Sequence, residues 1–188
     1  MEIIDIELDP VPVTEELLPE MVREFPWRSP CVTAQGIKDY ITGKFVCDIG
    51  CAEGDMLNQF KKVADRCVGI ELVPDRFRHA HERGLKVICG NMFRIPNFPH
   101  AAEVFYLWGP SPEVSINMVR WIMNNPKIEN CTILSGGRNG GPHVMTSVNS
   151  YNGKILAIPY REFNEDLERV EEGKWWVGVI EKKAGVHV

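Results

Sequence analysis

The residues best placed to do chemistry are carboxylates gathered around one glycine-bearing turn. Asp48, Glu53 and Asp55 lie in the stretch Asp48-Ile-Gly50-Cys51-Ala52-Glu53-Gly54-Asp55, and Glu71 closes the next apolar run, which begins at Cys67. A short apolar segment, Phe45 to Cys47, leads into the first acid, and a helical pattern starts directly after the turn. A first strand that ends this way, at the carboxyl edge of a parallel sheet, leaves a crevice in which a nucleoside-sized ligand meets the backbone. The dinucleotide fingerprint G-x-G-x-x-G is a rival for such a turn. Counted from Gly50, its third glycine falls on Asp55, and a carboxylate there would oppose a pyrophosphate. The turn therefore suits a nucleoside ligand without phosphate.

The elements that must position this turn alternate regularly. A helix is expected over Thr33–Ile41, with Ile37, Tyr40 and Ile41 on one face, ending at Thr42-Gly43 before a strand at 44–49. Leu57, Phe60 and Ala64 then repeat at helical spacing over about 54–64. A strand at 67–71 follows, and Pro74 opens a helix that Gly84 stops. Further strands are expected at 86–89, 103–107 and 131–135, with a helix from Pro112 carrying Val114, Met118, Trp121 and Ile122 on one face. The glycine-rich run 136–141 opens a weaker helical stretch to about Ser150. Two more β-runs, Ile155–Tyr160 and Trp175–Glu181, flank a charged connector at 164–173 and read as a long hairpin. Strands separated by helices imply an α/β, doubly wound, mostly parallel sheet with helices on both faces and an antiparallel edge.

Composition narrows the class of function. The 188 residues suit one domain, with 44% hydrophobic and 25% charged residues, as in an ordinary globular protein. The 21 basic and 26 acidic residues leave a net charge of −5, which opposes nucleic-acid binding by bulk attraction. No stretch approaches the ~20 apolar residues of a membrane helix. The acidic, alternating N-terminus, with Ile4, Ile6 and Leu8, is a weak edge-strand pattern and the reverse of a signal peptide. The six cysteines show no CxxC spacing, and Cys47, Cys67 and Cys89 lie in or beside strand-like runs. Buried free thiols in a cytoplasmic protein are expected, with no metal site. His79 and His81, two apart on a helix, diverge and read as surface residues, as does His143 at a helix start.

From Thr33 to Lys182 the chain resembles the class I S-adenosylmethionine-dependent methyltransferases. The resemblance implies a seven-stranded sheet of order 3-2-1-4-5-7-6, counted from the strand at 44–49, with the terminal hairpin strand antiparallel. It implies one methyltransferase domain over 1–188, made of an N-terminal extension or lid at 1–32 and a Rossmann-like core at 33–183. The family's first motif, an acid, one residue, then Gly-x-Gly-x-Gly, stands here as Asp48-Ile-Gly50-Cys51-Ala52-Glu53-Gly54, with Ala52 in place of the middle glycine. The resemblance thus implies that Asp48, Gly50, Cys51, Ala52 and Gly54 lie near the amino-acid portion of S-adenosylmethionine. Glu71, followed by Leu72, stands where the family has an acid that accepts from both ribose hydroxyls, and a carboxylate presents two acceptor oxygens to such a diol. Gly90-Asn91-Met92 stands at the adenine position, with Asn91 able to accept from the amino group and Met92 to contact the ring face.

The fourth motif departs most from the family. Relatives that methylate amide or base nitrogens carry Asn/Asp-Pro-Pro-aromatic, whereas this chain has Trp108-Gly109-Pro110 after Tyr106-Leu107. Trp108, Gly109 and Pro110 are candidates for the acceptor pocket, with Trp27 and Tyr160 weaker ones. The resemblance implies direct displacement of the sulfonium methyl, releasing S-adenosylhomocysteine, with the protein aligning reactants and excluding water. If the acceptor needs deprotonation, Glu53, Tyr106, His143 and Glu162 are candidates and no choice among them follows. About 40 residues precede the first strong strand, which favours a small-molecule or protein acceptor over a large nucleic acid. Two alternatives stay open: a catalytically silent cofactor-binding subunit, and an RNA methyltransferase that works with a partner.

Overall fold

The computed structural model describes residues 2–6, 30–108, 111–137, 144, 145, 147, 153–163 and 169–184. In chain order the elements are β1 (Glu2–Asp5), α1 (Pro30–Gly36), α2 (Lys38–Ile41), β2 (Phe45–Ile49), α3 (Asp55–Phe60), β3 (Arg66–Glu71), α4 (Pro74–Glu82), β4 (Val87–Cys89), β5 (Val104–Leu107), α5 (Pro112–Asn124), β6 (Cys131–Gly137), β7 (Lys154–Phe163) and β8 (Arg169–Lys182).

All eight strands form one sheet of order β4-β3-β2-β5-β6-β8-β7-β1. Counted from β2, the first seven reproduce the expected order 3-2-1-4-5-7-6. β8 runs antiparallel to both β6 and β7, and every other neighbouring pair is parallel.

Two expectations are corrected. Among the described residues the sheet has eight strands rather than seven, because β1 adds in parallel to β7 at the edge, with Glu2 opposite Lys154 and Asp5 opposite Ala157. Ile4 and Ile6 of this alternating segment pack onto the core while Ile3 stays exposed, and Asp5 pairs with Lys174 of β8. Part of the stretch expected as a lid is therefore a strand; residues 7–29, including Trp27, lie outside the described residues. The hairpin is also longer than its apolar runs. Backbone pairing continues to Phe163 opposite Arg169, so the second half of the expected charged connector, 169–173, is strand. Hydrophobic alternation marks a strand only where the sequence supplies apolar residues, and 161–163 with 169–172 are mostly charged.

The parallel strands are buried on both faces, and one-residue alternation sorts their side chains between two cores. Cys47, Ile49, Ile70, Phe105, Leu107 and Ile133 meet Val119, Ile122 and Met123 of α5 on one face. Val46, Val104, Tyr106, Leu134, Leu156, Ile158 and Val177 meet Ile37, Ile41 and Phe60 on the other. Phe60 meets Tyr106 edge to face at 5.3 Å, which seats α3 against β5. Asp48 belongs by alternation with Val46, on the face that carries α3. The helix expected over Thr33–Ile41 is broken at Ile37, whose φ of −105° and ψ of 9° leave the helical region. Gly36 lies so close to β7 that a Cβ there would come within 2.7 Å of Ile158.

Candidate functional site

The turn after β2 is built by backbone conformations that its small residues permit. Gly50 and Gly54 have φ of +77° and +86°, where side chains are strained. Ala52 is the one non-glycine with positive φ among the described residues, at +49°. The left-handed region costs alanine roughly 1–2 kcal/mol, and a specific contact offsets this: Ala52 N–H donates to Glu71 Oε2 at 2.8 Å. The other oxygen of Glu71 accepts from Val73 N–H at 2.7 Å, so the end of β3 and the turn after β2 share one carboxylate. Gly50 and Cys51 N–H groups both donate to Ile70 O, at 2.8 and 3.2 Å, and Gly54 N–H closes the turn on Cys51 O at 2.8 Å.

A glycine in β3 makes room for this arrangement. A Cβ on Gly69 would meet Cys51 Sγ at 2.5 Å and Leu57 Cδ2 at 3.1 Å. A lone glycine inside a strand signals such a close approach, and this residue was not singled out from sequence.

The four acids around the turn divide into two kinds. Glu53 and Asp55 point to α4: Arg83 Nη1 donates to Asp55 Oδ1 and to Glu53 O, both at 2.7 Å, and Arg76 Nε lies 3.6 Å from Glu53 Oε1. They tie the turn to a neighbouring helix. Asp48 and Glu71 are instead buried, at 2% and 4% exposure, and no basic side chain pairs with either among the described residues. Register sets Asp48 between Gly69 and Tyr106, with Glu71 two residues beyond Gly69 on the same face. Asp48 Oδ2 has no hydrogen-bond partner among the described residues. Burial, and secondarily the charge of Glu71, raises the Asp48 carboxyl to about 8. Burial also pushes the Cys51 thiol upward, so it is no ready nucleophile.

The other sequence candidates separate. Leu72 is 63% exposed, and Val73 and Phe93 are also exposed, so the ends of β3 and β4 present apolar side chains to solvent. Asn91 Oδ1 accepts from Phe93 N–H at 3.0 Å, a local turn bond that occupies the carbonyl. Met92 is buried in the α5-side core.

Trp108 packs toward the other core: a Cβ on Gly136 would lie 2.6 Å from its Cε3, and it meets Trp175 edge to face at 5.3 Å. Its backbone carbonyl faces Gly50, 3.9 Å from where a Cβ would stand. Tyr106 is buried against Phe60 and Trp108. Gly109, Pro110 and His143 lie outside the described residues, as do the side chains of Tyr160 and Glu162.

The site can thus receive a cationic, nucleoside-like ligand: a buried carboxyl oxygen unpartnered among the described residues, a second acid one strand away, backbone without a side chain at Gly50 and exposed apolar residues at the edge. This donor set fits S-adenosylmethionine, whose ammonium and sulfonium groups are cations.

No protein-family model matches the chain, and no curated protein matches it. Solved structures do. An S-adenosylmethionine-dependent O-methyltransferase from Thermotoga maritima superposes with a TM-score of 0.62 at 12% identity, covering 91% of this chain and 73% of that one. A tRNA methyltransferase from Aquifex aeolicus gives 0.61 at 14% identity, with 84% and 70% covered. An RNA methyltransferase from Salinibacter ruber in complex with S-adenosylhomocysteine gives 0.55 at 15% identity, with 86% and 95% covered. Together with the strand order and the glycine turn, these likenesses show that the chain has the class I S-adenosylmethionine-dependent methyltransferase fold.

Proposed function

We propose that this chain is a methyltransferase that binds S-adenosylmethionine in the crevice between β2 and β3 and moves its methyl group to a small-molecule or protein acceptor. The observation that carries the reading is the pair of buried acids Asp48 and Glu71, on neighbouring strands beneath the turn with no basic partner among the described residues. Two acids without a counter-cation suit a positively charged ligand and oppose a phosphate. The solved structures of the same fold include one described as S-adenosylmethionine-dependent and one in complex with S-adenosylhomocysteine, which supports the same ligand.

In this reading Asp48 and the backbone of Gly50, Cys51, Ala52 and Gly54 receive the amino-acid end. Glu71, whose oxygens each retain a lone pair beyond their backbone bonds, accepts from the ribose hydroxyls. Leu72, Val73 and Phe93 flank the base, with Asn91 and Met92 behind them. The bound cofactor supplies a methyl group already activated by positive sulfur. The chain's own residues bind and orient the reactants and exclude water, which is where proximity contributes most. Glu53 is engaged by Arg76 and Tyr106 is buried in the core, so neither is free to act as a base without rearrangement. An already nucleophilic acceptor fits this arrangement best.

We read the chain as one domain with its core at 33–183. Acceptor chemistry on RNA, as in two of the structural neighbours, would need a partner to offset the net charge of −5. A catalytically silent cofactor-binding subunit is the second reading, and the replacement of the usual fourth motif by Trp108, which packs against Trp175 and over Gly136, favours it. Incubation with tritiated S-adenosylmethionine and cell extract tests the two. Label incorporated above a heat-killed control supports catalysis, and cofactor binding without labelling supports the silent subunit.

A further inference from the structure

The ligand-free site holds an acid with nowhere to put its charge. Asp48 Oδ2 is buried and unpartnered among the described residues, whereas both oxygens of Glu71 are engaged by backbone N–H groups. An ionised carboxylate stripped of water and left unpaired is costly, while a neutral carboxyl is much less so. The groups around Asp48 offer no relief. Cys47 precedes it on β2, Cys51 covers it from the turn, and Cys67 and Glu71 lie on β3. Tyr106 is its register partner on β5. Asp55 on α3 is taken by Arg83. Of the two acids, Glu71 has both oxygens bonded by backbone N–H groups, and Asp48 has an oxygen with no partner among the described residues.

We infer that Asp48 is protonated in the ligand-free protein and surrenders that proton to solvent when the ligand's ammonium group enters, so that cofactor uptake is coupled to proton release. This rests on the reading that the crevice takes S-adenosylmethionine. The exchange balances in charge: the Asp48 O–H bond breaks, the proton passes to buffer, and an ammonium N–H donates to the carboxylate in its place. One positive charge leaves and one arrives, with no oxidation or reduction. The site thereby discriminates for cations, because only a ligand that brings positive charge can stabilise the ionised acid.

Calorimetric titration of the full chain with S-adenosylhomocysteine at pH 7, in buffers of small and large ionisation enthalpy, counts the protons. The expected result is a release approaching one proton per ligand. Affinity is expected to rise nearly tenfold per pH unit below pH 7 and to level off above about pH 8, where Asp48 is already ionised. Subtracting the Asp48→Asn variant, which should bind without this release, removes any proton exchange by the ligand's own amine. Binding heat that is independent of buffer, a flat pH profile, or a release that survives in Asp48→Asn overturns the inference while leaving cofactor binding intact. Absence of any heat or thermal shift in the wild type instead sinks the cofactor reading itself.

Discussion

Ala52 N–H donates to Glu71 Oε2 at 2.8 Å from a backbone at φ +49°, so one acid on β3 holds the strained residue of a turn that begins on β2. The contact joins two parts of the chain 19 residues apart and fixes the width of the crevice between neighbouring strands. Glu71 thus shapes the turn, beside the ligand contact proposed for it.

Replacing Glu71 should therefore affect both. Glu71→Ala is expected to weaken S-adenosylhomocysteine binding by ~1.5–3 kcal/mol, the range for hydrogen bonds to a charged group, and to lower the melting temperature. Calorimetry and thermal melts read the two effects separately. Unchanged affinity would remove Glu71 from the site.

Gly69 has no tolerance for a side chain. Its Cβ would stand 2.5 Å from Cys51 Sγ and 3.1 Å from Leu57 Cδ2. Gly69→Ala is expected to lose ~1–3 kcal/mol, as overpacking does. Adding Cys51→Ala should recover part of the loss, since the sulfur is the nearer obstacle. Urea denaturation of the single and double variants measures the coupling, and strict additivity would contradict it.

The pH dependence of the ligand-free protein follows from Asp48. Its folded value of about 8 lies above the ordinary carboxylate value, so the folded state holds a proton that the unfolded chain has lost. The stability associated with that neutral acid is complete below about pH 4 and is lost as pH rises towards 8, at about 1.4 kcal/mol per pH unit at most. Asp48→Asn, which does not titrate, should melt higher than the wild type by a margin that widens from pH 5 to pH 8. A margin that does not change over this range would contradict the assignment.

Lys182 provides a control away from the crevice. Its Nζ donates to Ile122 O at 2.9 Å and Asn125 O at 2.7 Å, closing the carboxyl end of α5 from the last turns of β8 pairing. Lys182→Met should cost ~2 kcal/mol of stability through two lost charge-assisted bonds. Ligand affinity should stay within twofold of the wild type when measured well below the melting temperature.

Much of this was legible in the residues themselves. Gly50 and Gly54 occupy positive-φ positions that few other residues tolerate, so the turn announces itself, and the regular apolar runs fix the parallel strands between 45 and 137. Signals weakened where burial stopped dictating residue type. β1 puts only alternate residues on the core, and the outer part of the β7–β8 hairpin is charged, so its pairing carries no hydrophobic pattern. At the site, position along the strand was readable but side-chain direction was not. Asn91 turns its carbonyl to Phe93 N–H, Met92 enters the core, and Trp108 folds over Gly136. Glu53 and Asp55 stand in the turn by sequence, yet find their partners in Arg76 of α4 and Arg83 just after it, well over 20 residues further on.

The central claim, that the acid-lined crevice between β2 and β3 takes S-adenosylmethionine, is tested most directly by titration calorimetry of the wild-type chain with that cofactor. The account predicts a saturable one-to-one heat that Glu71→Ala weakens by ~1.5–3 kcal/mol. No heat and no thermal shift at millimolar cofactor would contradict it.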